Sequence, residues 1–537
     1  MSYWGREVVP TERVLKEVAE KKLSEITQER DLLREEAAKF KEQSAKQLAG
    51  LQQEISALKA VAPDQIRKHV KALISLWSQP AAVPPRGNFI DDPVWGQLYL
   101  EEELCSLVAH PLLQRLNHIK QLAFAYLVFP SATHSRLSHC LGACKLAQLA
   151  LESIFDKDLL YSDGRAERIS LTPWERRRLV LKAKAAAMLH DVGHGPFGHA
   201  LDRFVGNFDP RNTIKHPDKK YSRDYIERFL ADRLPDGTDA ANQVAILGEK
   251  QHRVALKGWD CLVADIVDSS LDIDRMDYLT RDAHMTGLSV GKAQPQALIE
   301  KMRPYQDGEQ IVLSYDHSCL PDLAPFLYTR EMMFLNCYDH PRKAAAERVF
   351  TRLVEALIDS HNISVGEIMM LADEQIVAVL ALALAGSESN NNLLAVLLQN
   401  QEYELVLDED ARRVQSWSQS RAECLGKQTY VDMPKLWERT IADESGLGTE
   451  SSWRVLVVVP AEEVSVPVEL GTRILFKTAT GYTTKKLSQV VPRLQVPLAK
   501  LIEARDRIRV FVDARLEEPL RSGIGDVAKR VLGVSDA

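Results

Sequence analysis

The sequence predicts a mainly α protein with a coiled-coil helix at its N-terminal end and a small α/β lobe at its C-terminal end. Three patterns support this fold class. Before residue 60, apolar residues recur every seven positions, which is the spacing of a coiled coil. From about 88 to 385 they recur at steps of three and four, which is the spacing of amphipathic helices. After about 450, short apolar runs typical of strands replace that spacing.

The charged segment at 11–60 predicts the coiled coil. Ile26, Leu33 and Phe40 lie seven residues apart, and the apolar stripe resumes at Leu48 after a phase slip. Because a monomer would expose this stripe, we expect the segment to bind a second copy of the chain or a partner protein. The alternative is a single solvated helix that packs on the body of its own chain.

The chain divides into five segments by composition and spacing. Strand candidates at 453–459, 473–477 and 507–512 mark the last segment. A run rich in proline separates the first helices from the long helical region. The predicted segments are a helical and coiled-coil segment (1–78), a linker (79–87), a helical core (88–385), a connecting region of helices and loops (386–449) and an α/β lobe (450–537).

Composition argues against some classes of protein. The formal net charge is -7, which is not that of a general nucleic-acid coat, although a local basic channel is compatible with it. No run of about 18 apolar residues is found, so we expect no membrane span. The cysteines include no CxxC pair, and the N-terminus has no apolar leader. We therefore expect a cytoplasmic protein.

The sharpest chemical pattern is the run from His190 to His199. An apolar helical stretch leads into His190-Asp191, and a Gly-x-Gly-Pro turn then lets His194 and His199 bend toward the same point. Imidazole and carboxylate together suit a divalent metal. A single His-Asp pair would more simply be a surface ion pair, but three histidines and an aspartate within ten residues indicate a metal site.

Further ligands must come from elsewhere in the chain. Upstream, the stretch 133–139 ends at His139, and downstream the stretch 271–278 carries the carboxylates of Asp272, Asp274 and Asp277. Taken alone, either stretch is equally well explained as a solvated helix with ion pairs on its surface. The residues by themselves therefore leave the rest of the ligand set open.

The order of His139, then His190-Asp191, then Asp274 resembles the HD superfamily, and the wider match is to its deoxynucleotide triphosphohydrolase branch. The resemblance covers about residues 88–350 and implies a helical HD-domain core. The coiled coil stands where that branch has a sterile-alpha module. The runs that carry the wider match are Asp92-Pro93, Gln114-Arg115-Leu116, Ile119-Lys120-Gln121-Leu122, Val128-Phe129-Pro130, His134-Ser135-Arg136 and Asp272-Ile273-Asp274-Arg275-Met276-Asp277-Tyr278.

The resemblance implies hydrolysis of a dNTP to deoxynucleoside and triphosphate at one divalent metal, which is Mn, Fe, Mg or Zn. His199 would be the general acid that protonates the leaving 5′-oxygen, and His194 and Asp202 would position it. A metal lowers the pKa of water and polarises a phosphoryl oxygen, which suits this chemistry. The implied metal ligands are His139, His190, Asp191 and Asp274.

The same resemblance implies a substrate pocket, in which arginines contact the phosphates or the base. Gln121 and Leu122 match residues that hold the 3′-hydroxyl, and Tyr338 matches a tyrosine that packs against the 2′ face of the sugar and disfavours ribose. His216 is a looser candidate for a substrate-side histidine. The implied substrate-binding residues are Gln121, Leu122, Arg136, Arg275, Tyr278, Asp282, Arg330 and Tyr338.

Three positions depart from the pattern of that branch. Asp339 replaces a base-contacting glutamine, so the base preference stays open. Ala109 and Asn117 stand where the activator pocket has an aspartate and an arginine. We therefore do not expect activation by a guanine nucleotide in the known way, while another activating nucleotide stays open.

The predicted function is dNTP triphosphohydrolysis, in nucleotide-pool control or in nucleotide depletion during phage infection, by a homo-oligomer. One alternative is an HD nuclease or phosphodiesterase acting on single-stranded nucleic acid or a cyclic nucleotide. Another is a non-catalytic nucleotide-sensing scaffold. Closure of the pocket separates the first two, because Tyr338 against the sugar and Gln121 on the 3′-hydroxyl would block a continuing chain.

Overall fold

Helices make up most of the computed structural model, as the spacing of apolar residues predicts. The predicted coiled coil at 11–60 and the predicted linker at 79–87 lie outside the described residues, and both stay predictions. Within the described part of the chain, no helix combines the length and the apolar character needed to cross a membrane. The structure describes residues 63–77, 88–208, 216–235, 238–248, 253–290, 294–399, 402–415, 417, 429–460, 468–492, 500–501 and 503–534.

The helical body alternates long helices with short helical turns. The α-helices of four or more residues in the described ranges are α1 (Pro63–Trp77), α2 (Glu102–Val108), α3 (Pro111–Arg115), α4 (Arg136–Phe155), α5 (Pro173–Leu189), α6 (His199–Phe208), α7 (Pro217–Tyr225), α8 (Ala240–Leu247), α9 (Trp259–Val267), α10 (Ile273–Thr286), α11 (Pro295–Glu300), α12 (Leu320–Met333), α13 (Pro341–His361), α14 (Val365–Met369), α15 (Asp373–Leu384), α16 (Glu388–Gln399), α17 (Thr429–Glu444), α18 (Leu487–Val490) and α19 (Glu518–Leu532). A π-helical turn, Phe334–Tyr338, continues α12.

Three β-sheets accompany the helices in the described residues. Their strands are β1 (Asn88–Asp92), β2 (Gly96–Leu100), β3 (Asp158–Tyr161), β4 (Ala166–Arg168), β5 (Met302–Asp307), β6 (Gln310–Asp316), β7 (Tyr403–Asp410), β8 (Val455–Val458), β9 (Arg473–Lys477), β10 (Tyr482–Lys486) and β11 (Arg507–Asp513). The strand orders are β1-β2, β10-β9-β6-β5-β3-β4 and β7-β11-β8.

Helices α4 and α5 pack against each other at the centre of the helical core. Alanines of α5, together with Cys140 and Cys144 of α4, are fully buried, and their small side chains let the two helices approach closely. Helix α5 begins at a capping box formed by Thr172 and Glu175. The helix ends at Leu189, and the His-Asp pair follows it directly. The C-terminal half of the helix is buried in the core on all sides, which fixes the position of the pair.

The C-terminal lobe has a hydrophobic core of its own. The sheet β7-β11-β8 packs with α17 and α19 around buried residues that include Trp437, Val457 and Val510. The three predicted strand segments are confirmed as β8, β9 and β11. The predicted fold class, a mainly α body with a small α/β lobe, is therefore confirmed.

Strand pairing within the helical core differs from the sequence-based expectation. The region 88–385 was predicted to be overwhelmingly helical, and it contains β1 to β6 among its helices, which the spacing of apolar residues did not mark. These strands are three to seven residues long, which is shorter than the window of about 11–18 residues in which a period is recognised. The parallel pairing of β3 with the distant β5 has no local pattern at all. Strand β9 pairs in parallel with β6, so one sheet joins the segments predicted as core and lobe. The domain boundaries at 385 and 450 stay predictions.

Candidate metal centre

Two helix starts and one helix end meet at the candidate metal centre. His139 lies in the first turn of α4 and Asp274 in the first turn of α10, and each helix begins at a side chain that caps it. His190 and Asp191 follow the last residue of α5 directly. Because all three helix termini are anchored in the core, the four side chains converge without a flexible loop between them.

The donor atoms of these residues lie at the spacing of ligands on one ion. His139 Nε2 is 3.1 Å from His190 Nε2 and 3.0 Å from Asp274 Oδ1, and His190 Nε2 is 3.5 Å from the same oxygen. Asp191 Oδ1 lies 3.3 Å from His190 Nε2. Two donors about 2.1 Å from one ion are about 3.0–3.4 Å apart at octahedral or tetrahedral angles. His139, His190 and Asp274 could therefore hold a metal, with Asp191 beside them.

Hydrogen bonds behind the histidines fix which nitrogen faces the centre. His139 Nδ1 donates to Asp277 Oδ2 at 2.7 Å, and His190 Nδ1 donates to the carbonyl of Ala187 at 2.7 Å. Each Nε2 is then left with a lone pair directed at the shared point, as metal-ligating histidines require. Asp277 is fully buried and also accepts two hydrogen bonds of 2.9 Å from Arg281.

Asp277 is a site residue that the sequence interpretation did not assign. Its spacing from Asp274, one helical turn, was the available indication. A second indication is Gly142 in the middle of α4, where a Cβ atom would lie 1.9 Å from Asp277 Oδ1. The glycine thus makes room for the carboxylate that orients His139.

The charges of the centre favour a bound cation. Burial opposes protonation of His139, but hydrogen bonds to Asp274 and Asp277 outweigh it and raise its pKa to about 10. Burial opposes ionisation of Asp274 as well, yet hydrogen bonds to His139 and His190 lower the pKa of this carboxyl. The ionised carboxylates need a positive charge, which either a protonated imidazole or a divalent ion supplies. The donor set therefore fits a metal.

A second group of residues lies beside the first. His194 Nδ1 donates to Asp202 Oδ2 at 2.6 Å, and its Nε2 lies 3.2 Å from Asp191 Oδ1. His199 Nδ1 is 3.6 Å from Asp202 Oδ2, and its ring meets that of His194 edge-on at 4.9 Å. The structure thus brings His194, His199 and Asp202 together, and this trio also has the spacing of metal donors.

His199 differs from the other histidines in its exposure, which is 66% for the side chain. Burial and the charges of His194 and Arg136 lower the pKa of His199. Because most of the ring is in contact with solvent, the charges account for this direction better than the burial does. An anionic phosphate bound beside the ring would raise the pKa of His199.

Arg136 points unsatisfied donors into the same region. Its Nη1 donates to Asp191 Oδ2 at 2.7 Å, while the buried Nε and Nη2 have no hydrogen-bond partner among the described residues. Gly198, at φ 47°, leaves the space for this guanidinium, since a Cβ atom there would lie 2.2 Å from Nη2. The buried Oε1 of Gln121 is likewise without a partner. Buried polar atoms of this kind indicate a polar ligand.

A cavity of about 130 Å³ joins these groups, and it contains some of the predicted substrate residues but not others. Gln121, Arg136 and Tyr278 line it. Arg275 points away from the cavity. It forms an ion pair with Asp272 and donates a hydrogen bond of 2.9 Å to the carbonyl of Ser269. The predicted residues that do not line this cavity are Leu122, Arg275, Asp282, Arg330 and Tyr338.

The remaining predicted residues lie around the cavity. The Tyr338 hydroxyl donates to Asp282 Oδ2 at 2.7 Å, and the Tyr338 ring lies 6.4 Å from that of Tyr278. Leu122 belongs to the apolar core, and Arg330 stacks on Phe334 at 4.7 Å. His216 lines a separate and larger cavity. The roles predicted for all of these residues stay predictions.

Two buried residues outside the predicted set hold the turn that carries the ligands. Arg115 donates to the carbonyls of Val192 and His194, both at 2.8 Å, and to two carbonyls near the end of α14. Asp373 accepts from the backbone N–H groups of Phe197 at 2.7 Å and Lys120 at 2.9 Å. Arg115 lies in a run that carried the family resemblance, whereas no motif marked Asp373.

Comparison with known families agrees with this geometry. Residues 136–282, which include all four of the predicted metal ligands, match the family model described as the HD domain. This chain contains an HD domain. The HD domain begins at the first residue of α4 and ends in α10, and so spans both helices whose first turns carry ligands.

Curated relatives match about half of the chain. An uncharacterized protein of Bacillus subtilis, YwfO, is 30% identical over 276 residues, which is 50% of this chain and 56% of that protein. The deoxynucleoside triphosphate triphosphohydrolase SAMHD1 of Gallus gallus is 26% identical over 305 residues, which is 52% of this chain and 46% of that protein. This chain thus spans about half the length of the curated relatives that it matches.

Similarity in fold extends beyond the HD domain. The crystal structure of a phosphohydrolase from Bacteroides thetaiotaomicron superimposes with a TM-score of 0.57 at 20% identity, over 79% of this chain and 100% of that one. At this identity the match shows the fold alone. The match to the HD domain, over residues that include the metal-donor group, supports a hydrolase with a metal site.

Proposed function

We propose that this chain is a metal-dependent phosphohydrolase that converts deoxynucleoside triphosphates to deoxynucleoside and triphosphate. The observation that carries the proposal is one cavity lined by a metal-donor group, by Arg136, which has two unsatisfied donors, and by the exposed His199. These are the three elements that phosphoester hydrolysis needs: a cation, an anion clamp and a proton carrier. The relatives named SAMHD1, which are deoxynucleoside triphosphate triphosphohydrolases, support the choice of substrate.

Each residue of the cavity has its own role in the proposed hydrolysis. When bound, a divalent ion supplies Lewis acidity toward a phosphoryl oxygen and lowers the pKa of water. Nε and Nη2 of Arg136 bind the phosphoryl oxygens, because charge-assisted hydrogen bonds satisfy both donors at once. His199 holds a proton and passes it to the leaving 5′-oxygen, while Asp202 and His194 orient its ring. Gln121 accepts from the 3′-hydroxyl through Oε1.

The closed side of the site favours a mononucleotide over a nucleic-acid chain. Tyr338 donates to Asp282, whose other oxygen accepts from His134 Nε2 at 2.8 Å. This buried network lies next to Tyr278, which lines the cavity. A continuing strand would have to break it at a cost of unsatisfied buried groups. An HD nuclease or phosphodiesterase remains the second candidate, because the same metal chemistry serves both.

Product identification tests the proposal. The full chain is incubated with each dNTP, each rNTP, a single-stranded oligonucleotide and a cyclic nucleotide, with Mn²⁺ or Mg²⁺. We expect triphosphate and deoxynucleoside from dNTPs, no product from the His190→Ala variant, and normal turnover by His69→Ala, which removes an exposed histidine of α1. Cleavage of the oligonucleotide or of the cyclic nucleotide in place of dNTPs would establish the second candidate.

A further inference from the structure

A second and larger cavity, of about 890 Å³, adjoins the metal-facing cavity. Lys219 and Asp268 line both cavities, so the two spaces share these side chains as a common wall. The HD helices form one wall of the larger cavity, and the hairpin of β9 and β10 forms another through Arg473 and Lys485. No role proposed above uses this space.

The lining is strongly basic. Among the described residues, five cationic side chains line the cavity and two carboxylates accompany them. Asp268 Oδ2 lies 2.6 Å from Lys219 and 2.7 Å from Arg253, and Asp265 Oδ2 lies 3.1 Å from Arg473. The cations are Lys219, Arg253, Arg473, Lys485 and Lys486.

Two of these cations are available to a ligand. Lys485 and Lys486 are exposed, and neither forms an ion pair within the described residues. Lys485 lies 6.0 Å from the ring of Phe476, and the Lys486 backbone N–H is bonded to Gln489, so the strand holds both in place while their ammonium groups remain in contact with solvent. The cavity thus has an excess of positive charge at its hairpin wall.

The other lining residues indicate which anion fits. Ser269, Ser270, Thr484 and Gln489 offer hydroxyl and amide groups, and no Phe, Tyr or Trp of the described residues lines the cavity. A nucleobase binds by stacking on an aromatic face, which this lining lacks. A phosphate chain needs only cations and hydrogen-bond donors.

We propose that this cavity binds a linear polyphosphate. Two sources share that chemistry: the triphosphate released at the metal centre, which depends on the proposed function, and inorganic polyphosphate from solution. In the first case Lys219, which lines both cavities, passes the leaving chain from the metal centre to the hairpin lysines. The volume is within the usual range of about 300–1,000 Å³ for ligand pockets.

Calorimetric titration of the full, metal-loaded chain with sodium tripolyphosphate, in excess Mg²⁺, tests the proposal. We expect the double variant Lys485→Gln, Lys486→Gln to bind about tenfold more weakly, as the loss of two part-exposed ionic contacts gives. The control Lys68→Gln, Lys71→Gln removes the same charge from the exposed face of α1 and should bind like the parent chain. Equal affinity of the parent and the hairpin variant, or equal loss in the control, would overturn the proposal.

Two further measurements distinguish the two sources of the polyphosphate. They also distinguish a failure of this proposal from a failure of the proposed function. If the ligand is the product, added tripolyphosphate inhibits turnover, and the hairpin variant needs about tenfold more of it. If the ligand comes from solution, long-chain polyphosphate binds more tightly than tripolyphosphate, again through Lys485 and Lys486. Lysine-dependent binding without dNTP hydrolysis would leave the cavity assignment standing and remove the proposed function. Hydrolysis with lysine-independent binding would do the reverse.

Discussion

Histidines of this site differ in what their two ring nitrogens contact, and this difference supports the proposed division into metal ligands and a proton carrier. His139 and His190 each donate through Nδ1 to a buried acceptor and direct Nε2 at the shared point. His199 has no such buried acceptor within hydrogen-bond distance in the described residues, and 66% of its side chain is exposed. The first two are oriented as metal ligands require, whereas the third is exposed to water, as the proposed proton carrier must be.

Replacing His190 tests the ligand assignment. We expect His190→Ala to lose both activity and bound metal, because the imidazole lies among all the other donors, while the helical fold survives since His190 follows the end of α5. Metal analysis, turnover and circular dichroism measure the three properties. Normal turnover by the purified variant would show that the ion, if bound, is held elsewhere.

Replacing His199 tests the proton carrier. We expect His199→Ala to fold and to keep its metal but to lose about two to four orders of magnitude in rate, the usual contribution of a general acid. The reason is its place outside the donor group of His139, His190 and Asp274. Rates and metal content are measured on the same preparation. Loss of the metal in this variant would make His199 a ligand.

Replacing Tyr338 tests sugar choice. An unsatisfied buried hydroxyl costs about 1–3 kcal/mol, so a ring packed on the 2′ carbon predicts at least about tenfold preference for dGTP over GTP. We expect Tyr338→Ala to lose this preference and Tyr338→Phe, which removes only the hydroxyl that donates to Asp282, to retain it. Equal rates of the parent chain on dGTP and GTP would contradict the deoxynucleotide assignment.

At the scale of secondary-structure elements, the close packing of α4 against α10 determines the geometry of the candidate metal centre. Gly142 of α4 lies against the pair of Asp277 and Arg281 on α10. Arg281 also bonds Asp92 at the end of β1, at 2.8 Å, so the hairpin of β1 and β2 is tied to the same contact. Packing between these elements therefore sets the position of Asp277, and through it the orientation of His139.

A methyl group between these helices should damage the site. We expect Gly142→Ala to destabilise the chain by about 1–3 kcal/mol, the usual cost of overpacking, and to weaken metal binding by displacing Asp277 from His139. Gly523→Ala is the matched control, since a Cβ atom there meets nothing within 4 Å in α19. It should stabilise the chain by up to about 1 kcal/mol. Unfolding curves and metal titration compare the two variants, and equal effects would remove this role for Gly142.

At the scale of the whole molecule, the fold connects distant segments to one site. Arg115 bonds carbonyls of the ligand-bearing turn and of Met369, which is 254 residues away. Strand β9 adds to the sheet of β5 and β6, and its hairpin forms a wall of the basic cavity. Residues 62–537 accordingly form a single compact unit, so a change in the C-terminal part can affect the site.

The oligomeric state is a property of the whole molecule. We expect a homo-oligomer that depends in part on residues 11–60, because their heptad stripe would otherwise be exposed. Light scattering on a chain that begins at residue 80, compared with the full chain at equal concentration, measures the effect. An unchanged mass would favour the single helix packed on its own chain or a different partner protein.

The sequence alone determined the fold class, and its family resemblance supplied the order of the candidate metal ligands. Apolar periodicity is a local property, and so is a His-Asp pair at the end of a buried helix, which is why both could be predicted. Only the tertiary structure decided that Asp277 orients His139, that Asp373 holds Phe197 across 176 residues, and that Arg275 turns away from the cavity. These outcomes depend on which side chains meet after the helices pack, and no spacing along the chain encodes contacts between segments so far apart.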